Sequence, residues 1–247
     1  MNRFEGKCIL IVGGYSGIGQ SAARRLAEEG ASLVLVGRQE DKLRLAIAAL
    51  PGSGHKIVVA DCAVQEQLQP LVQIGRQRGG FDGMVVCSGF HAMRPISVLN
   101  RESIDQAFEA NVATALLATG AFAKAANKAG GGVVWFSSVA AMRGTASFAA
   151  YSAAKGAIIS AARVAAVELA PRHIRVNVIV AGVIQTAMSE GWMSRLNDEQ
   201  RAAVAKQHLL GLGQPEDVAG VVAFLLSDDA RWMTGSILTV DGGLSAQ

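Results

Sequence analysis

The chain has 247 residues, a net charge of only +3, 51% hydrophobic side chains and three cysteines. That length can bury a large core within one α/β domain, and without a Lys/Arg block or aromatic-basic interleaving, nucleic-acid and membrane-surface roles find no support. No apolar run reaches transmembrane length, MNRFEGK has no signal-like apolar core, and Cys8, Cys62 and Cys87 lack metal-ligand spacing; a cytoplasmic protein with buried thiols and no metal is expected.

The first predicted element is a strand over 7–12, whose run CILIV is apolar throughout, as in a parallel-sheet strand covered on both faces. GGYSGIG follows directly, with Gly13, Gly17 and Gly19 in GxxxGxG spacing and Tyr15, Ser16 and Ile18 among them. A helical pattern begins here and runs over 18–29, with Ile18, Ala22, Leu26 and Ala27 on one side. Strand, glycine turn and helix N-terminus form a cradle in which backbone N–H groups face an anion, and a Cβ at the glycines would block a pyrophosphate. Dinucleotide binding is expected at this turn.

The second strand, 32–36, leads into Gly37-Arg38, where sites selecting NAD commonly carry a carboxylate for the ribose 2′-OH. A guanidinium there can grip a 2′-phosphate bidentately, so Arg38 points to NADP(H) rather than NAD(H); an ordinary surface arginine is the other reading. A helix over 40–49 follows, then a strand over 56–60 with Asp61 and Cys62 beyond it, and a helix over 65–78. A strand over 82–87 runs into Ser88-Gly89, and a long helix over 102–128 contains Asn111.

The strand over 131–137 delivers Ser138, and the helix over 150–170 carries Tyr151 and Lys155 one above the other at i and i+4. A phenol ordinarily ionises near pH ~10. A neighbouring ammonium favours the phenolate and moves proton transfer toward neutrality. With the Ser138 hydroxyl beside it, the pair is suited to moving a proton on or off a carbonyl or alcohol oxygen; a solvated helix face is the plainer alternative. A strand over 174–180, a less regular helical stretch over 187–209, a helix over 216–227 and a strand over 236–240 complete the chain. The alternation predicts one domain spanning 1–247: a parallel sheet with helices on both faces and every motif at the carboxyl edge of its strands.

With GGYSGIG, Ser138 and YSAAK in place, the sequence resembles the short-chain dehydrogenase/reductase family along essentially its whole length. Asp61, Asn111 in NVATAL, RVNVIVAGVIQT at 175–186 and TGSILTVDGG at 234–243 extend the match. The pattern is most similar to the 3-oxoacyl-acyl-carrier-protein reductase and sugar or steroid dehydrogenase branch. The resemblance implies a Rossmann-type doubly wound α/β fold, a seven-stranded parallel sheet in the order 3-2-1-4-5-6-7. It also implies an oxidoreductase transferring hydride between a nicotinamide cofactor, NADP(H) on the reading of Arg38, and a carbonyl or secondary alcohol.

On the same resemblance, Tyr151 is the general acid/base, and Lys155 lowers its pKa and holds the nicotinamide ribose. Ser138 positions the substrate oxygen and Asn111 holds a relay water. Cofactor contacts are implied for the Gly13–Gly19 turn and for Asp61 at the adenine amino group, with Cys62 at the same edge. Ser88, Gly89, Gly182, Val183 and Thr186 join them at the nicotinamide end. Asp61 and Thr186 each read equally as a helix N-cap. The sequence departs from the family pattern at Val12, at Val86-Cys87 and at Ala181.

Phe90, His91, Met93, Arg94, Ala140, Met142, Arg143, Val183 and Met188 are expected to line a mostly apolar substrate pocket beneath a helical lid at about 187–210. Small residues along 150–170, together with the apolar helix over 102–128, suit a two-fold helical interface. The family implies a homotetramer with the C-terminal strand at a second interface, a dimer being the alternative. The competing function is a catalytically idle nucleotide-binding scaffold on the same fold; an epimerase or dehydratase is disfavoured by the short C-terminal region.

Overall fold

The computed structural model describes residues 2–91 and 93–247. The apolar runs become seven strands: β1 (Cys8–Val12), β2 (Ser32–Gly37), β3 (Lys56–Val59), β4 (Gly83–Val86), β5 (Gly131–Ser138), β6 (Ile174–Ala181) and β7 (Ile237–Val240). They form one parallel sheet in the order β3-β2-β1-β4-β5-β6-β7. The central strand, β1, sets Val12 opposite both Val36 and Val86, so the first, second and fourth strands end at one level. Because the strand order reverses between β1 and β4, a crevice opens outside their carboxyl ends.

Successive strand residues point to opposite faces, and both faces are covered. Ile9, Ile11, Leu35, Val134 and Ile179 pack with helices α1 (Gly17–Glu28), α2 (Glu40–Ala48) and α9 (Pro215–Leu226) through Leu26, Leu43 and Val222. Leu10, Val12, Val36, Trp135 and Val178 pack on the other side with α3 (Gln69–Gln77), α5 (Thr114–Ala125) and α6 (Ala149–Leu169) through Leu71, Phe122 and Ile158. Trp135 is fully buried and its indole N–H donates to Thr119 Oγ1 at 3.1 Å. Truncating a core aromatic of that size costs about 3–5 kcal/mol.

Three helical stretches differ from the sequence pattern. The expected helix over 65–78 begins as a 3₁₀ turn (Gln65–Leu68), and α3 proper opens beside Pro70, which lacks the N–H that a helix interior needs. The expected helix over 102–128 is interrupted: α4 (Arg101–Phe108) passes through a π turn, Glu109–Ala113, before α5 begins. Asn111 sits in that turn and its Nδ2 donates to Ala107 O at 2.8 Å, competing for the carbonyl that a regular helix would use and widening the ladder. The irregular stretch over 187–209 is two helices, α7 (Ala187–Met193) and α8 (Asp198–Lys206), each opened by a capping box, Thr186 with Ser189 and Asn197 with Gln200. Among the described residues no helix is long and apolar enough to cross a membrane.

Candidate active site

The glycine turn closes tightly at the carboxyl end of β1. Gly13 has φ +81°, and a Cβ there would lie 2.8 Å from Ser88 N. A Cβ on Gly19 would lie 2.2 Å from Gly13 O, and one on Gly17 would lie 3.0 Å from Thr186 Cγ2. These three glycines thus let the ends of β1, β4 and β6 approach one another, with no room left for larger residues. The turn is tied by main chain, since Cys87 N and Ser88 N both donate to Val12 O, at 2.9 and 3.2 Å. Such bonds are indifferent to side-chain identity, which is why the departures at Val12 and Cys87 leave the turn closed. Ser16 stands at the N-cap of α1, with Ile18 in its first turn.

Lys155 is anchored to β5 from two directions. Its Nζ donates to Phe136 O at 3.0 Å, and Ser137 Oγ donates to the Lys155 carbonyl at 2.8 Å. The ammonium lies 5.7 Å from the centroid of the Tyr151 ring. Burial pulls the Lys155 pKa down to about 8. The Tyr151 phenol moves the opposite way to the expectation from helical spacing: burial raises it above its ordinary value, and the neighbouring Ser138 hydroxyl offsets part of that. Desolvation of the phenolate outweighs the nearby cation, whose ammonium bonds Phe136 O instead. Ser138 Oγ also accepts from Ala140 N at 3.2 Å, fixing the turn that follows β5.

Asn111 points toward the same place. Its Nδ2 donates to Phe90 O at 2.9 Å as well as to Ala107 O, while its buried Oδ1 has no partner among the described residues. A Cβ placed on Gly89 would come within 2.9 Å of that Oδ1 and 3.4 Å of Lys155 Nζ, so Gly89, Asn111 and Lys155 converge. Ser88 Oγ is a second buried oxygen left unpaired. Orphaned buried polar atoms beside a glycine cradle fit a ligand that would satisfy them.

At the β2–β3 end, Arg38 is 71% exposed, its Nη1 reaching Asp61 Oδ2 at 3.7 Å. Asp61 caps a tight turn rather than a helix: Oδ1 accepts from Ala63 N at 2.9 Å, and the next 3₁₀ turn is preceded by Val64. Cys62 is buried beside it, its thiol pushed up to about 12. Tyr15 packs over Gly37, where a Cβ would meet its Cε1 at 2.7 Å. Thr186 does cap α7, accepting from Ser189 N at 3.3 Å, while its methyl touches the glycine turn.

A cavity of about 640 Å³ is bordered by Ile18, Cys87, Gly89, Ser138, Tyr151, Lys155, Gly182, Val183 and Thr186, whereas Tyr15, Arg38, Asp61, Cys62, Ser88 and Asn111 are not among its lining residues. Of the expected substrate-side residues, His91, Met93, Ala140, Arg143, Val183 and Met188 line it, with Trp192 and Leu196 from the segment after β6. Phe90, Arg94 and Met142 do not. Phe90 gives its carbonyl to Asn111, Arg94 lies exposed with its N–H bonded to Ser147 O, and Met142 faces a separate groove beside Pro95 and Ile96. Arg143 is committed elsewhere, its guanidinium donating to Leu244 O.

Phe148 and Leu244 line it without having been expected, and Gln200, Val204, Gln207 and His208 fall within the expected lid at about 187–210 without having been singled out. Phe148 stands between Tyr151 and Trp192, with ring centroids 5.8 and 6.4 Å away, and His91 packs edge-on to Tyr151 at 5.8 Å. The contacts of His208 with Val183 and of Leu244 with Arg143 are distant in sequence, which no local pattern reports.

The family model described as enoyl-(acyl carrier protein) reductase matches residues 13–245. Dehydrogenase/reductase SDR family member 4 of Homo sapiens is 35% identical over 243 residues, covering 96% of this chain and 87% of its own. This chain belongs to the short-chain dehydrogenase/reductase family. A solved short-chain dehydrogenase/reductase from Mycobacterium ulcerans superposes with a TM-score of 0.92 at 31% identity, covering 99% of this chain and 91% of that one. Levodione reductase of Leifsonia aquatica is 33% identical over 256 residues, 99% of this chain and 96% of its own. As a member of the family, this short-chain dehydrogenase/reductase is an oxidoreductase that transfers hydride with a nicotinamide cofactor and acts on a small-molecule substrate.

Proposed function

We propose that this enzyme interconverts a carbonyl compound and its secondary alcohol with NADP(H), Tyr151 acting as general acid and base. The observation that carries the reading is the convergence of Tyr151, Ser138 and Lys155 on one cavity bordered by the glycine turn. The Gly13–Gly19 turn would hold the pyrophosphate, and Arg38, Asp61 and Cys62 the adenosine end. Lys155, Asn111, Ser88, Gly89, Gly182, Val183 and Thr186 would surround the nicotinamide end. When bound, the nicotinamide supplies or accepts the hydride at the substrate carbon.

The chain's own task is the proton. Because burial holds the Tyr151 phenol protonated, the residue waits in the form that reduction requires, ready to protonate the oxygen as negative charge develops on it. Ser138 Oγ shares that oxygen and fixes its place. Lys155, held by Phe136 O, keeps a cation near both the phenol and the Gly89 edge without spending its ammonium on a carboxylate. NADP(H) rather than NAD(H) is supported by Arg38, whose exposed guanidinium stands at the end of β2. The walls built from Met93, Phe148, Met188 and Trp192, with Arg143 tied to the C-terminal tail, favour an apolar carbonyl substrate covered by α7 and α8 as a lid.

The test is NADPH oxidation across β-ketoacyl thioesters, sugars, steroids and simple ketones, with Tyr151→Phe as the comparison. Loss of the proton donor is expected to lower kcat by about a thousandfold while NADPH binding, followed by fluorescence, is retained. Comparable turnover by the variant would remove Tyr151 from the mechanism.

A homotetrameric assembly is part of this reading, supported by apolar side chains left exposed on α5, α6 and ahead of β7. Val164 and Val167 of α6 and Leu116 of α5 are 56%, 75% and 46% exposed, and Trp232, 97% exposed, precedes the edge strand β7. Light scattering on the purified protein should give four times the chain mass of 25.7 kDa; a monomer would refute this arrangement.

A further inference from the structure

His208, just past α8, is buried, and both ring nitrogens are engaged. Nδ1 lies 2.9 Å from Val204 O, and Nε2 lies 3.2 Å from Val183 N. A carbonyl can only accept and a backbone N–H can only donate, so the ring is the neutral tautomer with its proton on Nδ1 and a lone pair on Nε2 toward Val183. The opposite side of Val183 is held too. Its carbonyl accepts from Gly213 N at 3.1 Å, and Gln185 N donates to Gly213 O at 2.8 Å, forming a short parallel bridge at Ile184 and Gly213. The segment carrying His208 is in turn fixed to the end of β7, where Leu210 N donates to Gly242 O at 3.0 Å.

Val183 and His208 both border the cavity, and α8 supplies Gln200 and Val204 to its wall. One imidazole therefore ties the main chain leaving β6 to the helix that walls the substrate side. We propose that His208 is a positioning residue: by accepting the Val183 N–H it sets the backbone beside the nicotinamide end of the cofactor and transmits the placement of α8 to it. This rests on Val183 bordering the cofactor, and it is independent of which residue moves the proton.

The experiment compares His208→Leu, which removes both hydrogen bonds at similar volume, with His208→Gln, whose longer amide carries an acceptor and a donor to about the reach of Nε2. NADPH and NADH affinities are read by fluorescence titration, with thermal melting measured separately. His208→Leu is expected to weaken nucleotide binding about tenfold, chiefly through the lost bond to Val183 N, and His208→Gln to recover to within about threefold. With any turned-over substrate, KM for the cofactor should rise while kcat stays within about twofold.

A folded His208→Leu protein that binds nucleotide as well as or better than wild type overturns the proposal. Equal losses in the Leu and Gln variants also overturn it, because packing alone would then explain them. Should His208→Leu fail to fold, His208→Asn replaces it: its shorter amide serves Val204 O but not Val183 N, so weakened binding in Asn with near-normal binding in Gln supports the proposal and equal binding overturns it. A wild-type protein that binds neither nucleotide refutes the cofactor reading itself, and this inference with it.

Discussion

Lys155 is buried against β5 with its ammonium on Phe136 O at 3.0 Å, whereas Arg38, just past β2, is 71% exposed with its Nη1 3.7 Å from Asp61 Oδ2. The first cation is held by the core and bears a desolvation penalty that pulls its pKa down to about 8. The second is solvated and screened, so its contact with Asp61 adds little to folding. Stability and chemistry are therefore coupled at Lys155 and separable at Arg38. Alterations in the core centre should register in folding as well as turnover, and alterations at the adenosine end in affinity alone.

The largest consequence concerns pH. An unfolded Lys155 keeps its proton up to its ordinary value of 10.5, while the folded one gives it up at about 8. Between those values the unfolded chain binds more protons, so the burden on folding is full below the lower value and is relieved as pH rises through the window. Urea unfolding of the protein without nucleotide should show Lys155 contributing about 2 kcal/mol of added stability from about pH 7.5 to about pH 9.5. Lys155→Met should lack that increment; parallel pH curves for the two proteins would break the contrast. A smaller effect is expected at the other cation. Arg38→Ala should weaken NADPH binding by about 10–100-fold, as for loss of charge-assisted hydrogen bonds, with NADH affected by about twofold or less and unfolding unchanged within about 0.5 kcal/mol. Equal losses for both nucleotides would show that Arg38 does not read the 2′-phosphate.

What the sequence revealed follows the same division between near and distant contacts. CILIV and GGYSGIG specify strand and turn by local chemistry, and central strands such as β1 and β4 were readable because burial on both faces leaves unbroken apolar runs. Tyr151, Lys155 and Ser138 were legible as a set, since a helix repeat and a strand end fix their neighbourhood. The direction of the Tyr151 shift was not: spacing reports the cation beside the phenol but not how much of the phenol's water the cavity walls remove. The π turn escaped because Asn111 looks like any polar residue in a helical run until its amide reaches Ala107 and Phe90 carbonyls. The bond of His208 to Val183 and that of Leu244 to Arg143 escaped because the partners lie 25 and 101 residues away, although His208 falls within the expected lid. The misplaced pocket residues Arg94 and Met142 show the same limit: a position just past a strand end fixes which rim a residue occupies, not which side of the rim its side chain takes.

The wide turn at Glu109–Ala113 adds about one residue to the helical count, a rotation of about 100° between what comes before and after it. Phe122 can therefore settle into the sheet-facing core while Asn111, eleven positions earlier, still directs its amide at the strand end near Phe90. A straight helix would have to abandon one of these two appointments. Anyone shortening or idealising that segment to make a sturdier protein would thus be rephasing the cleft, even with every side chain retained.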